Sequence, residues 1–454
     1  MHVGRQVVAG DLQALRRAPP HHHGWCRALH GSVIGLDVAQ PFLGKSLPHA
    51  VHIEAELAGF EACALFFLAG DTGPRFFQHG FDVFTRYHDD GVVVIEDAKI
   101  ARVGAADSIA VPQGVKVLSA NVVTPGLIDA HTIVGLTGYL NQDQDQDQLD
   151  LTDAIQPELR AIDSYNPSER LIEWVRGFGV TTIHTGHAPG ALVPGQTMIV
   201  KTTGNTVEDA LVKPTAMVAA RLGVDARGDA KSPGTRSKAI AMLRSEFLKA
   251  QNYLKKQSAE DEKKRPDRDL RMETLGRVLS GELPLLVTAH RATDLLSAVR
   301  VAKEFGIKLV LDGAAESYLI IDEIKAAGIP VIIHPTMARS GRGETENISF
   351  ETASKLRKAG IPVALQSGYE SYVPKTRVVL FEAGVAAANG LSFEDALSLV
   401  TIDAARILGI ADRVGSIEPG KDADLALFDG DPFEYTSHCI GVVINGETVS
   451  DEAR

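Results

Sequence analysis

Between residues 122 and 410 the chain repeats one alternation, an apolar run followed by an amphipathic stretch, and few architectures accept that pattern. The apolar runs fall at 122–134, 180–186, 197–202, 215–220, 283–290, 308–313, 330–335 and 362–367. Helical stretches at 294–305, 318–327, 350–359 and 393–408 show apolar residues three or four apart, and several stop at glycine. Eight strands with helices outside are what a parallel barrel needs. The first run matters most. Pro125 and Gly126 bend its entry, and Asp129 and His131 then arrive together at its carboxyl end, where a parallel barrel gathers its chemistry.

The flanks follow a different grammar. From about Gly80 a strand, an Asp turn and a second strand lead toward the first run, and beyond 411 further short strands are separated by Gly and Asp turns. The expected division is an N-terminal extension over 1–79 with no assigned role, β segments at 80–123 and 411–454, and the barrel over 124–410. Within the extension, 59–70 reads as a short buried or loosely packed helix, and His21, His22 and His23 as solvated surface. Two segments interrupt the alternation: a carboxylate-rich loop at 141–150, and a charged helical insertion at 235–281. The loop lacks the Gly turn and spaced Glu of a calcium-binding EF-hand.

Composition narrows the function. A net charge of −12 offers no basic face for nucleic acid or an anionic membrane, so the expected partner is a small molecule, with a homo-oligomer left open. Cys26, Cys63 and Cys439 are too few and too scattered for a disulfide framework or a metal knuckle. No run of about 18 apolar residues or signal peptide is recognisable, which makes the cytoplasm the default compartment.

Several stretches carry a family resemblance: PGLIDAH at 125–131, EFGIKLVLDGAAES, TIDAARILGI and GSIEPGKDADLAL. Together they resemble the imidazolonepropionase-like branch of the amidohydrolase superfamily, over roughly 91–449. The resemblance implies an α/β fold, a (β/α)8 TIM-type barrel beside a small β-sandwich built from both flanks. It also implies a hydrolase acting on carbon–nitrogen bonds of small amides or cyclic amides. In that family a divalent metal such as zinc activates water, and a carboxylate shuttles the proton.

Residue by residue, the motif is incomplete. His131 stands where the first metal ligand belongs and His290 where the strand-five ligand belongs. Ile133 replaces the second histidine, Gly313 a histidine and Gly368 the aspartate that would act as base. At most one metal is expected, with His131 and His290 joined by His334 or His184 as rebuilt ligands; its loss altogether is the other possibility. Glu370 is the nearest carboxylate to inherit the base, with Asp129 next. Lys201 and Arg342 are candidates for a substrate carboxylate, and His187, Asp312, Glu316 and Arg339 complete the polar residues near strand ends. The alternative is a catalytically degenerate barrel that serves as a ligand-binding or structural subunit.

Overall fold

The structure is a computed structural model that describes residues 64–68, 75–82, 86–111, 114–140, 142–223, 233–333, 343–369 and 378–454, with side chains from 91 onward. All of these belong to one unit, Gly59–Arg454, while Met1–Ala58, with the triple histidine, lies outside the described residues. The architecture is mixed α/β.

Strands β1 (Ala64–Leu68), β2 (Arg75–Asp82), β3 (Arg86–Glu96), β4 (Lys99–Ala105) and β5 (Lys116–Ala120) make one sheet in the order β1-β5-β2-β3-β4. Asp97 turns β3 into β4 with a left-handed φ of 55°. Two expectations are corrected here. The 59–70 stretch contains β1, not a helix, and β2 begins inside the extension that the sequence left unassigned. The apolar β1 run, ALFFL, is paired along its length with β5.

Next, β6 (Val122–Pro125) and β7 (Leu127–Thr132) divide what reads as one run. β6 pairs with β17 (Leu425–Phe428), in the sheet that β18 (Cys439–Ile444) and β19 (Glu447–Ser450) complete, whereas β7 pairs in parallel with β8 (Val180–Thr185). The chain changes sheets at Gly126, where a Cβ would sit 2.2 Å from the Thr181 hydroxyl oxygen. Pro125, which donates no backbone hydrogen bond, ends the edge strand. The two flanks also share one apolar cluster, in which Val93, Ile95, Ile100 and Val123 meet Ile417, Leu425, Leu427 and Val443.

Strands β12 (Val218–Arg221), β13 (Leu285–Ala289), β14 (Leu309–Gly313), β15 (Val331–Ile333) and β16 (Val363–Leu365) run parallel in sequence order. Each is buried on both faces, as a parallel sheet with covered faces requires. Leu285, Val287, Leu309 and Leu311 pack with Leu295, Ala298 and Val301 of the helix Ala292–Phe305. Leu286, Val310, Ile332 and Ala364 turn the other way and meet Ile128, Ile199 and Met217 in a second cluster. We call this second side the inner face.

The run at 197–202 departs from expectation. Strand β10 (Met198–Lys201), preceded by the two-residue β9 (Gly195–Gln196), is antiparallel to β8 and turns back through β11 (Leu211–Lys213). The cause lies in the connection. Residues 186–197 contain Pro189, Pro194 and three glycines and form no helix, so there is no helical crossover to bring a parallel strand back. Hydrogen bonds still join the edges: Thr197 N donates to Met217 O (2.9 Å), and Gly368 N donates to His131 O (3.2 Å). The insertion is helical, as expected, with Arg236–Gln257 and Leu270–Leu279 capped by Thr235 and Asp269.

One buried ion cluster ties β10 to the C-terminal region. Lys201 Nζ donates to Asp422 (3.0 Å) and to Asp424, Lys99 and Arg413 also pair with Asp422 (2.6 and 2.9 Å), and Asn445 N donates to Asp424 (2.9 Å). Burial raises the Asp422 pKa, but the cations, Lys201 foremost, outweigh it and hold the carboxyl below its ordinary 3.8. A depressed pKa contributes stability above the unfolded value and loses it as pH falls through the folded one. Lys201→Met leaves the buried Asp424 without its ammonium, while Asp422 keeps Lys99 and Arg413, and is expected to cost about 3 kcal/mol at neutral pH. In urea melts the deficit should shrink as pH drops below 3.8. A deficit under about 1 kcal/mol at pH 7 would contradict the structural role of Lys201.

Candidate functional site

Polar side chains stand above the apolar inner layer at the carboxyl ends of the parallel strands. In β13 and β14 the alternation that turns Leu286 and Val310 inward turns Thr288 and Asp312 inward one step later. Asp312 is the hub of this layer. It accepts from Thr288 Oγ1 (2.6 Å), Gln366 Nε2 (2.8 Å) and His131 Nδ1 (2.9 Å). Burial pushes the Asp312 carboxyl up, but His131 and the two neutral donors bring it down to about 2. Burial opposes charge on His131 as well. Asp312 and then Asp129 prevail, and its pKa is raised above 6.5. With Nδ1 committed to Asp312, the buried Nε2 of His131 has no hydrogen-bond partner among the described residues.

Asp129 lies at the seam between β7 and the end of β16. Its Oδ1 accepts from Ser367 N (3.0 Å) and His131 N (3.3 Å), and burial lifts the carboxyl to about 7 despite those donors. His184 stacks 5.5 Å from His131. Its Nδ1 donates to Ala130 O (2.6 Å), so in the neutral ring Nε2 accepts from Thr197 Oγ1 (2.6 Å). Burial, helped by the positive charge of His131, pushes His184 down to about 3, which keeps it neutral. Both of its nitrogens are used.

His290 follows the last residue of β13, and its Nε2 faces Arg221 Nη1 at 3.4 Å. Arg221 ends β12 and is buried. Gly313 explains the fit. Its φ is +75°, and a Cβ built there would lie 2.8 Å from His290 Cε1, so the imidazole fills the space of a side chain at 313. Gly368, with φ +72°, is left-handed too.

The other sequence candidates are placed elsewhere or lie outside the described residues. Lys201 is corrected. Because β10 is antiparallel, its carboxyl end pairs with Thr182 near the start of β8, away from His184, and its ammonium serves Asp422 and Asp424. Glu316 accepts from Ala292 N (2.7 Å) and Asn347 Nδ2 (2.7 Å), which makes it a tether for the start of the helix Ala292–Phe305. His187 is buried against Gly195. His334, Arg339, Arg342 and Glu370 lie outside the described residues. Sequence reading missed Arg221, Thr288 and Gln366. For Arg221 the available signal is a charge that directly follows the apolar run 215–220.

The described donors do not fit a divalent metal. Among the described residues no three His, Cys, Asp or Glu side chains converge as a ligand set. His184 has both nitrogens engaged, His290 faces a guanidinium, and Ile133, Gly313 and Gly368 bring no donor. A catalytic zinc ordinarily takes three protein ligands.

Polar groups gathered above an apolar layer at the ends of parallel strands define an α/β protein with its site at the strand carboxyl ends. The model of the amidohydrolase family matches residues 321–450. An amidohydrolase of Thermotoga maritima, solved by crystallography, superposes with a TM-score of 0.77 at 31% identity, over 86% of this chain and all of that one. The imidazolonepropionase of Rhizorhabdus wittichii is 24% identical over 75% of this chain and 88% of its own. That of Syntrophobacter fumaroxidans is 33% identical over 26% of each. The chain therefore belongs to the amidohydrolase superfamily, as an imidazolonepropionase-like member. Members typically use a divalent metal, and the family supports carbon–nitrogen hydrolysis at the general level. Among the described residues no helix is long and apolar enough to cross a membrane.

The Gly313 geometry predicts that the family's ligand cannot simply be put back. Gly313→Ala should lower stability by about 2 kcal/mol, from left-handed strain and the contact with His290. Gly313→His should cost at least as much. Thermal melts of the two variants check this, and a parental Tm in either would show that the backbone and His290 yield.

Proposed function

We propose that this chain hydrolyses carbon–nitrogen bonds of small amides or cyclic amides, with His131 as the group that moves the proton. The observation that carries this reading is His131 Nε2: buried, without a partner among the described residues, on a ring whose other nitrogen is fixed by Asp312. A carboxylate on Nδ1 sets the tautomer, so Nε2 is the basic atom, and it supports the imidazolium once a proton arrives. In its neutral form His131 takes a proton from the attacking water and returns it to the leaving nitrogen. Thr288 and Gln366 hold Asp312 in place for both steps. The Asp129 carboxyl, lifted to about 7, is a second proton-handling group on the same strand.

The finer fold reading belongs to the same proposal. The strands β7, β8, β10 and β12 to β16 close as an eight-membered (β/α)8 TIM-type barrel with one reversed strand. The Thr197–Met217 and Gly368–His131 hydrogen bonds across the sheet edges support this. The flanks form the accompanying β-sandwich, supported by the β6–β17 pairing and the shared cluster around Val123 and Leu427.

A second reading, a ligand-binding barrel without turnover, is favoured by the replaced positions Ile133, Gly313 and Gly368. A panel of hydantoins, dihydropyrimidines, lactams and N-acyl amino acids decides between them. On the substrate it selects, His131→Ala should lower kcat by about 100-fold or more while binding persists. Ligands that bind calorimetrically without turnover would establish the second reading instead.

A further inference from the structure

The helical insertion at 235–281 has no part in the hydrolase reading, yet its first helix builds a concave cationic site. Along the helix Arg236–Gln257, Arg236, Ile240 and Arg244 recur every four residues and so share one face. On the helix Ala292–Phe305, Asp294, Ser297, Arg300 and Glu304 recur three or four apart and share another. Two ion pairs join the faces: Arg236 Nε with Asp294 (2.9 Å) and, two turns on, Arg244 Nε with Glu304 (2.7 Å). Between the helices lies a cavity of about 260 Å³, lined by Arg236, Ser237, Ile240, Arg244, Ser297 and Arg300.

The charges are sorted by position. Three guanidiniums line the cavity, and no carboxylate does among the described residues. The carboxylates engage Nε of Arg236 and Arg244, and Glu344 takes Nη2 of Arg236 (2.7 Å). A guanidinium carries five N–H donors, so both arginines keep donors for another acceptor. Arg300 has no carboxylate partner among the described residues. Its Nη2 donates to Ser297 Oγ (2.7 Å), and that hydroxyl donates to Thr293 O (2.8 Å), which anchors the guanidinium beside the cavity. In a chain of net charge −12 this is a local reversal of sign.

Arginine forks match the oxygens of a phosphate with paired, charge-assisted hydrogen bonds. Pockets for drug-sized ligands begin at roughly 300 Å³, so this cavity suits a phosphoryl group with a few further atoms and is too small for a nucleotide. We propose that the groove between these two helices binds the phosphoryl group of a small molecule, inorganic phosphate or a short phosphate ester. The site shares no residue with the layer around Asp312, and it stands whether or not the chain proves to be a hydrolase.

The test titrates the full chain by calorimetry at fixed ionic strength, since exposed charges are screened by salt. The probes are inorganic phosphate, glycerol 3-phosphate and acetate. Phosphate should saturate one site with a Kd of about 1 mM or tighter, and acetate at the same concentration should not displace it. Arg300 is the residue to change, because Arg236 and Arg244 also join the helices through their ion pairs. Arg300→Gln should weaken phosphate binding about tenfold or more, and Arg300→Glu should abolish it. Lys255→Glu, at an exposed position on the first helix outside the cavity, makes the same change in net charge as Arg300→Glu and should leave the affinity unchanged. Tighter binding of glycerol 3-phosphate than of phosphate assigns the site to an ester, and equal or weaker binding assigns it to inorganic phosphate. Absence of saturable binding, displacement by acetate, an affinity untouched by Arg300→Gln, or equal losses in Lys255→Glu and Arg300→Glu would overturn the proposal. If Arg300→Glu fails to fold, Arg300→Gln decides.

Discussion

Burial of the parallel strands on both faces is the constraint from which the rest follows. A strand with helices on one side and packed side chains on the other gives a charge little access to water, so a buried charge there needs partners. Asp312 meets that condition with three donors, Lys201 with two carboxylates, and His184 with a carbonyl and a hydroxyl. The two ends of the strands thereby differ in kind. Lys201 and its carboxylates neutralise one another and hold sheets together, whereas the layer around Asp312 leaves His131 Nε2 without a described partner.

Much of the fold was legible in the sequence because its signal is periodic. Apolar runs and amphipathic helices located most strands to within a few residues, and the turn-rich flanks identified the segments that meet through β6 and β17. Strand direction was not legible. An apolar run looks the same in either orientation, and only the helix-free 186–197 connection hinted that β10 reverses. The misreading of Lys201 follows directly, since a residue at the carboxyl end of a run lies at the site only if the strand is parallel. The division at Gly126 was hidden for a similar reason: 122–134 is apolar throughout, and the contact with Thr181 that demands glycine lies 55 residues away.

The site was legible as residues and illegible as relationships. Asp129, His131, His290 and Asp312 were all singled out, yet sequence spacing could not say that Asp312 holds His131 or that His290 meets Arg221. Ile133, Gly313 and Gly368 read as three deletions from a motif. In the fold, two of them are left-handed glycines that the backbone itself requires. Gly313 is also where the His290 ring lies, so substitution there is constrained by geometry as well as by chemistry.

The reach of these contacts along the chain has a kinetic consequence. His131 meets Asp312 across 181 residues, Asp129 meets Ser367 across 238, and Lys99 meets Asp422 across 323. Such separations give a high contact order, and the entropy of closing long loops must be met before any of these pairs forms. On the ribosome, β6 emerges some three hundred residues ahead of β17, its neighbour in the sheet among the described residues. Until then VVTP is an unpaired edge followed by the apolar β7. The nascent chain therefore carries an unpaired strand through most of its synthesis.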